Sequence, residues 1–411
     1  MSVFYFFFLI SVVRGQLAAN QNNAGFLGLP RLTNAAVVSL VTYSPGEELY
    51  TAFGHSCIRI KDDGLGFDRL YNYGTFDFNT PYFYLKFARG DLLYELAVGQ
   101  ANAEIDRVGA VGQGVTEVVL DLTETQKQQL FRDLEVNLLP ENRAYRYGFT
   151  FDNCSTRIRD VFERIIGQQL SAPIKRPRTF RKMLDPYFER IPWIRFGIYL
   201  LLGAEIDRVA TGREACFLPA DLESATESAS IHGTSLEARK VRLFEPRRLP
   251  QPIPLINPQY VFTASGIVWF LLWYFRKRGH SPRLSGSYLA LIGFTGTFIS
   301  VFSLITQHWE AHENLNLIWL FPGHLLAGLW LLTDPDSPSP ILRCYLAIAC
   351  FGSALFGVVA HWLPQEFHPA IYPLIALVVW RCALDQGRTR VALNEKMMSG
   401  CDHSSTYDPA P

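Results

Sequence analysis

Residues 147–160 read YGFTFDNCSTRIRD, with a cysteine directly behind an Asp-Asn pair. Behind it Ile158, Val161, Phe162 and Ile165 recur at the spacing of one helix face. Asp152 or Asn153 can cap the free amides at the start of that helix. Counting back four from Ile158 puts Cys154 in the first turn, on the face that packs inward. Cys154 can then be a buried small hydrophobe, half of a disulfide, or a nucleophile. The position favours the last, because the positive end of the helix dipole and unpaired amides stabilise a thiolate. The same amides can hold a developing oxyanion.

A thiolate works with a base. Outside the apolar carboxyl-terminal part of the chain the choice is narrow: His55, in TAFGHSCIRI, and His232, in a polar stretch. His55 opens an expected strand just after a glycine. Asn72, in YNYGTF on the next strand, can orient its imidazole. Asn153 fits best as the helix cap beside the thiol, and Ser44 is a further oxyanion donor to consider. Cys57 is the internal rival nucleophile, since in a strand it shares a face with His55, but it lacks a helix terminus.

Around these residues, AAVVSLVTY, HSCIRIKD, RLYNYGTF, LLYELAV and GVTEVVLDL read as strands from their β-branched and aromatic content. A helix is expected over 123–139, opening with Thr123 and Gln126 at capping-box spacing and ending before Pro140. One domain therefore runs over 30–218. The Ser-, Glu- and Pro-rich stretch 219–258 reads as a linker.

From Tyr260 the chain changes character. Apolar blocks at 260–275, 287–306, 314–332, 341–361 and 370–383 predict five membrane helices within 259–384, followed by a cytoplasmic tail, 385–411. The 49% hydrophobic content agrees with residence partly in lipid. Residues 1–16 read as a signal peptide or signal anchor. The basic run RKRGHSPR at 276–283 and the basic tail place those segments in the cytoplasm. Lys240, Arg242, Arg247 and Arg248 nearly balance that comparison, and the export signal decides for an exported amino-terminal domain. Of seven cysteines, only Cys57, Cys154 and Cys216 then lie outside, so at least one thiol stays free unless chains pair.

Lys plus Arg equals Asp plus Glu at 38 each, and there is no basic stripe or Gly-rich phosphate loop, which sets aside nucleic acid and nucleotides as partners. His308, Glu310, His312, Glu313, Asn314 and Asn316 cluster at the outer end of the expected third membrane helix, where polar groups are costly and often functional. No short metal-ligand spacing such as HExxH accompanies them, so no metal and no cofactor is expected. The apolar stretch 192–203 reads either as a helix at the bilayer surface, with Lys175, Arg176, Arg178, Arg181 and Lys182 meeting anionic headgroups, or as an ordinary packed helix.

VTYSPGEELYTAFGHSCIRI, YNYGTFDF, FTFDNCSTRIRD, PWIRFGIYLLLG and HENLNLIWLFPGH together resemble the Lnb-type bacterial lipoprotein N-acyltransferases, over about residues 35–332. The order of histidine first and Asn-Cys second is similar to that of circularly permuted papain-like enzymes, which include lecithin:retinol acyltransferase. The resemblance implies an α+β papain-like exported domain, with Cys154 as nucleophile and His55 as base, followed by an α-helical membrane domain. It implies transfer of an acyl chain from a diacylated lipoprotein or lipopeptide to that substrate's own α-amine through a thioester, at the bacterial inner membrane with membrane lipid as a partner. The rival reading of the same Cys and His is a membrane-anchored cysteine peptidase or amidase acting on cell-wall peptide.

Overall fold

The structure, a computed structural model, describes residues 28–248, 253, 256–275, 281–335 and 339–385. The expected signal at 1–16 and all but the first residue of the tail at 385–411 lie outside the described residues.

The amino-terminal domain runs β1 (Val37–Tyr43), β2 (His55–Asp62), β3 (Phe67–Thr75), α1 (Phe83–Arg89), β4 (Leu93–Gln100), α2 (Ala101–Ala110), β5 (Val115–Leu120), α3 (Glu124–Asn137), β6 (Ala144–Arg146) and α4 (Cys154–Ile166). It continues through α5 (Phe180–Phe188), α6 (Pro192–Leu201), α7 (Gly212–Ala215), α8 (Pro219–Ser228), a small hairpin of β7 (Ser230–Ile231) and β8 (Thr234–Ser235), and β9 (Glu237–Phe244). Its main sheet has seven strands in the order β6-β4-β3-β2-β1-β5-β9, each neighbouring pair antiparallel.

Alternation along β2 sorts the two faces of the sheet. Ile58 and Ile60 join the larger core with Leu130, Phe131 and Leu134 of α3 and Ile158, Val161 and Phe162 of α4. Cys57 points the other way, into a smaller core with Ile105 and Val108 of α2. The buried Arg59 guanidinium ties β2 to its surroundings through Asp68, Glu117 and Asn102. The expected capping box of α3 forms between Thr123 and Gln126.

The stretch read as a linker, 219–258, is corrected by the structure over 219–244. Leu222 and Ala225 of α8 are buried in the main core, and β9 completes the sheet beside β5. An edge strand tolerates charge on its open side, so Lys240 and Arg242 disguised it, and Lys240 pairs with Glu223 and Glu227 of α8.

The carboxyl-terminal region holds α9 (Pro258–Phe275), α10 (Pro282–Ile305), α11 (Gly323–Thr333) and α12 (Pro340–Val359), with helix again over 371–385. Among the described residues two helices, 282–305 and 340–362, are long and apolar enough to cross a bilayer. The block at 314–332 does not form the single helix expected of it. A 3-10 turn at Leu315–Ile318 is followed by α11, and the pair 309–318 and 323–333 is bent by 44°. Pro322 explains the break, since its ring and missing N–H stop a helix from continuing through it. α10 and α11 lie close because Gly293 and Gly296 leave room for the backbone at Leu325 and Leu320, where a Cβ would collide.

Candidate active site

Cys154 is the first residue of α4, and Asn153 is its cap. The Asn153 side-chain oxygen accepts from the Thr156 amide at 3.0 Å, and the Thr156 hydroxyl oxygen accepts from the Asn153 amide at 2.8 Å. The side-chain Nδ2 of Asn153 donates to the carbonyls of Phe149 and Phe217 at 2.7 and 2.9 Å. All its polar atoms are thus engaged in fixing the helix head, which makes Asn153 a positioning residue. The amides of Cys154 and Ser155 precede the first intrahelical bond, from Arg157 to Asn153, and remain available as donors.

His55 is the first residue of β2, entered through Gly54, whose φ of +75° suits glycine. Its Nε2 donates to the Asn72 side-chain oxygen at 2.7 Å. That same oxygen accepts from the Gly74 amide at 2.7 Å, so the carboxamide is locked with its acceptor toward the ring. The ring lies where a side chain on residue 74 would stand, since a Cβ on Gly74 would collide with His55 Cε1. β3 is irregular between Asn72 and Thr75, consistent with this close approach. With Nε2–H held by Asn72, Nδ1 is the nitrogen left to exchange a proton with sulfur.

The electrostatics pair the two groups. Burial pushes the Cys154 thiol up, but the charge of His55, a hydrogen bond with it, and further bonds from the Ser56 amide and Ser155 outweigh this and bring it down to about 7. Burial pulls His55 toward its neutral form, yet negative charge at Cys154 holds the imidazole well above its usual value. A thiolate and an imidazolium therefore coexist near neutral pH. The remaining thiol of this domain, Cys216, is driven by burial to about 12. Among the described residues the cysteines are free.

Tyr94, Tyr145 and Tyr147 stand close to the sulfur. Burial first, and charge at Cys154 or a neighbouring phenol next, keep all three phenols raised and neutral. Sequence reasoning passed over these tyrosines and Gly74. A glycine inside an otherwise good strand was the available signal for the latter. Ser44 is engaged elsewhere: its hydroxyl accepts from the Gly114 amide at 2.8 Å.

The polar cluster at 308–316 is a docking surface between the two regions. Glu310 is buried and accepts from Thr150 at 2.6 Å, Thr150 accepts from the Trp309 indole at 2.7 Å, and Trp309 stacks on Phe151. Thr150 and Phe151 belong to the loop leading into Cys154. Asn314 and Asn316 donate to the last carbonyls of α6. Among the described residues no group of three or more possible metal ligands occurs. α6 itself packs on α9 through Trp193, Phe196 and Phe262. Arg181, expected near headgroups, is 1% exposed and bound to Asp207, while Arg178 and Lys182 pair with Asp221 and Glu366.

No curated protein and no solved structure matches the chain. Residues 31–185, which hold Cys154, His55 and Asn72, match the Lnb N-terminal periplasmic domain, and residues 253–387 match the Lnb transmembrane domain. The two matches follow one another in the order the fold presents and together cover well over half of the sequence, so the chain belongs to the Lnb family.

Proposed function

We propose that this protein is a thiol-dependent lipoprotein N-acyltransferase of the bacterial inner membrane, with its amino-terminal domain on the periplasmic side. Five membrane crossings and a permuted papain-like arrangement, in which a sheet carries the base and a packed helix the nucleophile, complete the reading. One observation carries it: a thiol brought to about 7 at a helix head, paired with an imidazole that an asparagine orients. Membership of the Lnb family and a domain docked onto apolar helices support a lipid-anchored substrate, which a membrane-bound enzyme meets at high effective concentration.

The thiolate attacks the ester carbonyl of the donor's glyceryl chain. A C–S bond forms, the C–O bond breaks, and the leaving alkoxide takes the His55 proton. The free amides of Cys154 and Ser155 stabilise the oxyanion between. Neutral His55 then takes a proton from the attacking α-amine as the C–N bond forms and the C–S bond breaks. This restores the thiolate and imidazolium and releases a lyso-form N-acylated lipoprotein. Acid-quenched enzyme given diacylated lipopeptide is expected to show one acyl mass on the peptide that holds Cys154, and Cys154→Ala to show none. Release of cell-wall peptide fragments without any acyl-enzyme would overturn the reading.

A further inference from the structure

The sequence PYFYLKFAR, residues 81–89, builds α1 with its large apolar side chains outward: Tyr82 and Tyr84 are 78% and 80% exposed, and Leu85 and Phe87 are also exposed. Tyr82 enters the helix at φ +58°, an uncommon conformation for an aromatic residue, so the exposed rings are held out by the local backbone. Lys86 and Arg89 occupy the last turn.

The end of α1 is fastened to the end of a membrane-length helix. Phe87, Ala88 and Arg89 offer their carbonyls to the His308 ring, the Thr306 hydroxyl and the Gln307 amide at 2.7–2.8 Å, directly after α10. On α10 the neighbouring Leu304 and Ile305 are exposed as well. The apolar surface of α1 therefore adjoins the exposed apolar surface at the end of α10.

From α1 a line of rings leads inward. Phe83 meets Phe78 and Phe76 at 4.8 and 5.7 Å, Phe76 meets Tyr94 at 4.9 Å, and Tyr94 stacks on Tyr147 at 4.2 Å, while Tyr147 and Cys154 pack against the same core. A cavity of about 180 Å³ lies alongside, bounded by Gly90, Tyr147, Thr150 and Glu310. Tyr147, Phe151 and Trp309 form its apolar side, Arg146, Gln307 and His308 make the rest polar, and the Glu310 carboxylate and Thr150 hydroxyl in its wall are bonded to each other.

We propose that α1 sits in the leaflet facing the amino-terminal domain, and that the donor's acyl chain enters laterally there. The chain lies along Phe83, Phe76, Tyr94 and Tyr147 with its carbonyl end at Cys154. This rests on Cys154 as acyl carrier, yet the position of α1 is testable without it. In vesicles of phosphatidylethanolamine and phosphatidylglycerol, the full chain with p-benzoylphenylalanine at Tyr84 is expected to give lipid adducts on irradiation, whereas the same probe at Gln129, exposed on α3, gives none. Tyr84→Asp and Leu85→Asp are expected to lower the ratio of rates on vesicle-held diacyl lipopeptide to rates on a soluble short-chain thioester by at least about 10-fold. Absence of lipid adducts at 84, or a ratio that does not fall, overturns the proposal. A wild-type chain that turns over neither substrate defeats the acyl-carrier reading instead, and the cross-link still decides where α1 lies.

Discussion

The head of α4 and the turn at 306–318 are both crowded with polar groups beside the membrane region, yet they are built to opposite ends. At the turn, each partner closes on another: Glu310 on Thr150, Asn314 and Asn316 on the carbonyls of α6, Thr306 and His308 on those of α1. At the helix head, His55, the Ser56 amide and Ser155 converge on one sulfur that is only partly buried. A polar cluster whose members satisfy one another is a joint. A cluster whose members charge a single accessible atom is the candidate reaction centre.

The largest effect that sharpens this contrast comes from His55→Ala. Acyl transfer is expected to fall on the order of 10²-fold or more. Removal of the imidazolium also removes the main attraction that holds the thiolate. The pH midpoint of Cys154 alkylation, expected at about 7 in the parent, should therefore rise to or above the roughly 8.5 of an ordinary thiol, because burial then acts without the imidazolium to oppose it. An unshifted midpoint would break the pairing of the two groups.

Asn72→Ala is expected to act next, at about 10-fold on the rate, because it frees the ring without removing it. Asn72→Asp should recover part of the loss, since it keeps an acceptor for Nε2–H. Stability, read by thermal unfolding, is expected to change less than activity.

Glu310→Ala tests the joint. It leaves the Thr150 hydroxyl without its buried acceptor and is expected to cost about 1–3 kcal/mol of stability. Activity should fall less than with Asn72→Ala. Glu310 meets the loop that leads to Cys154 but is engaged there with Thr150, away from the proton path through His55.

What could be read from the chain was what is set locally. The first five strands, the Thr123 capping box and the start of α4 depend on neighbours within a few residues, and each is present where the pattern implied. Cys154, His55 and Asn72 could be named together because few other residues outside the membrane region have the required chemistry, and of these the His55–Asn72 bond is present. β9 was hidden because its charged side chains suit an edge, which only the sheet defines. The joint was hidden for the same reason: Glu310 and Asn314 read as part of a polar cluster at the outer end of a membrane helix, and their partners on α6 and the 149–153 loop are distant in sequence.

Cys57→Ala is the smallest expected effect and the most direct check on which thiol reacts. Cys57 shares β2 with His55. It is fully buried between β2 and α2, among Val41, Leu70 and Ile105, where no acyl ester can reach it. The substitution removes little more than a sulfur from an apolar site, so a change below about 2 kcal/mol in stability and a rate within about threefold of the parent are expected. Cys154 lies on the other side of that contrast, half-exposed at a helix head with donors aimed at it. A folded but inactive Cys57→Ala would therefore transfer the nucleophile to the buried face and undo the distinction between joint and reaction centre.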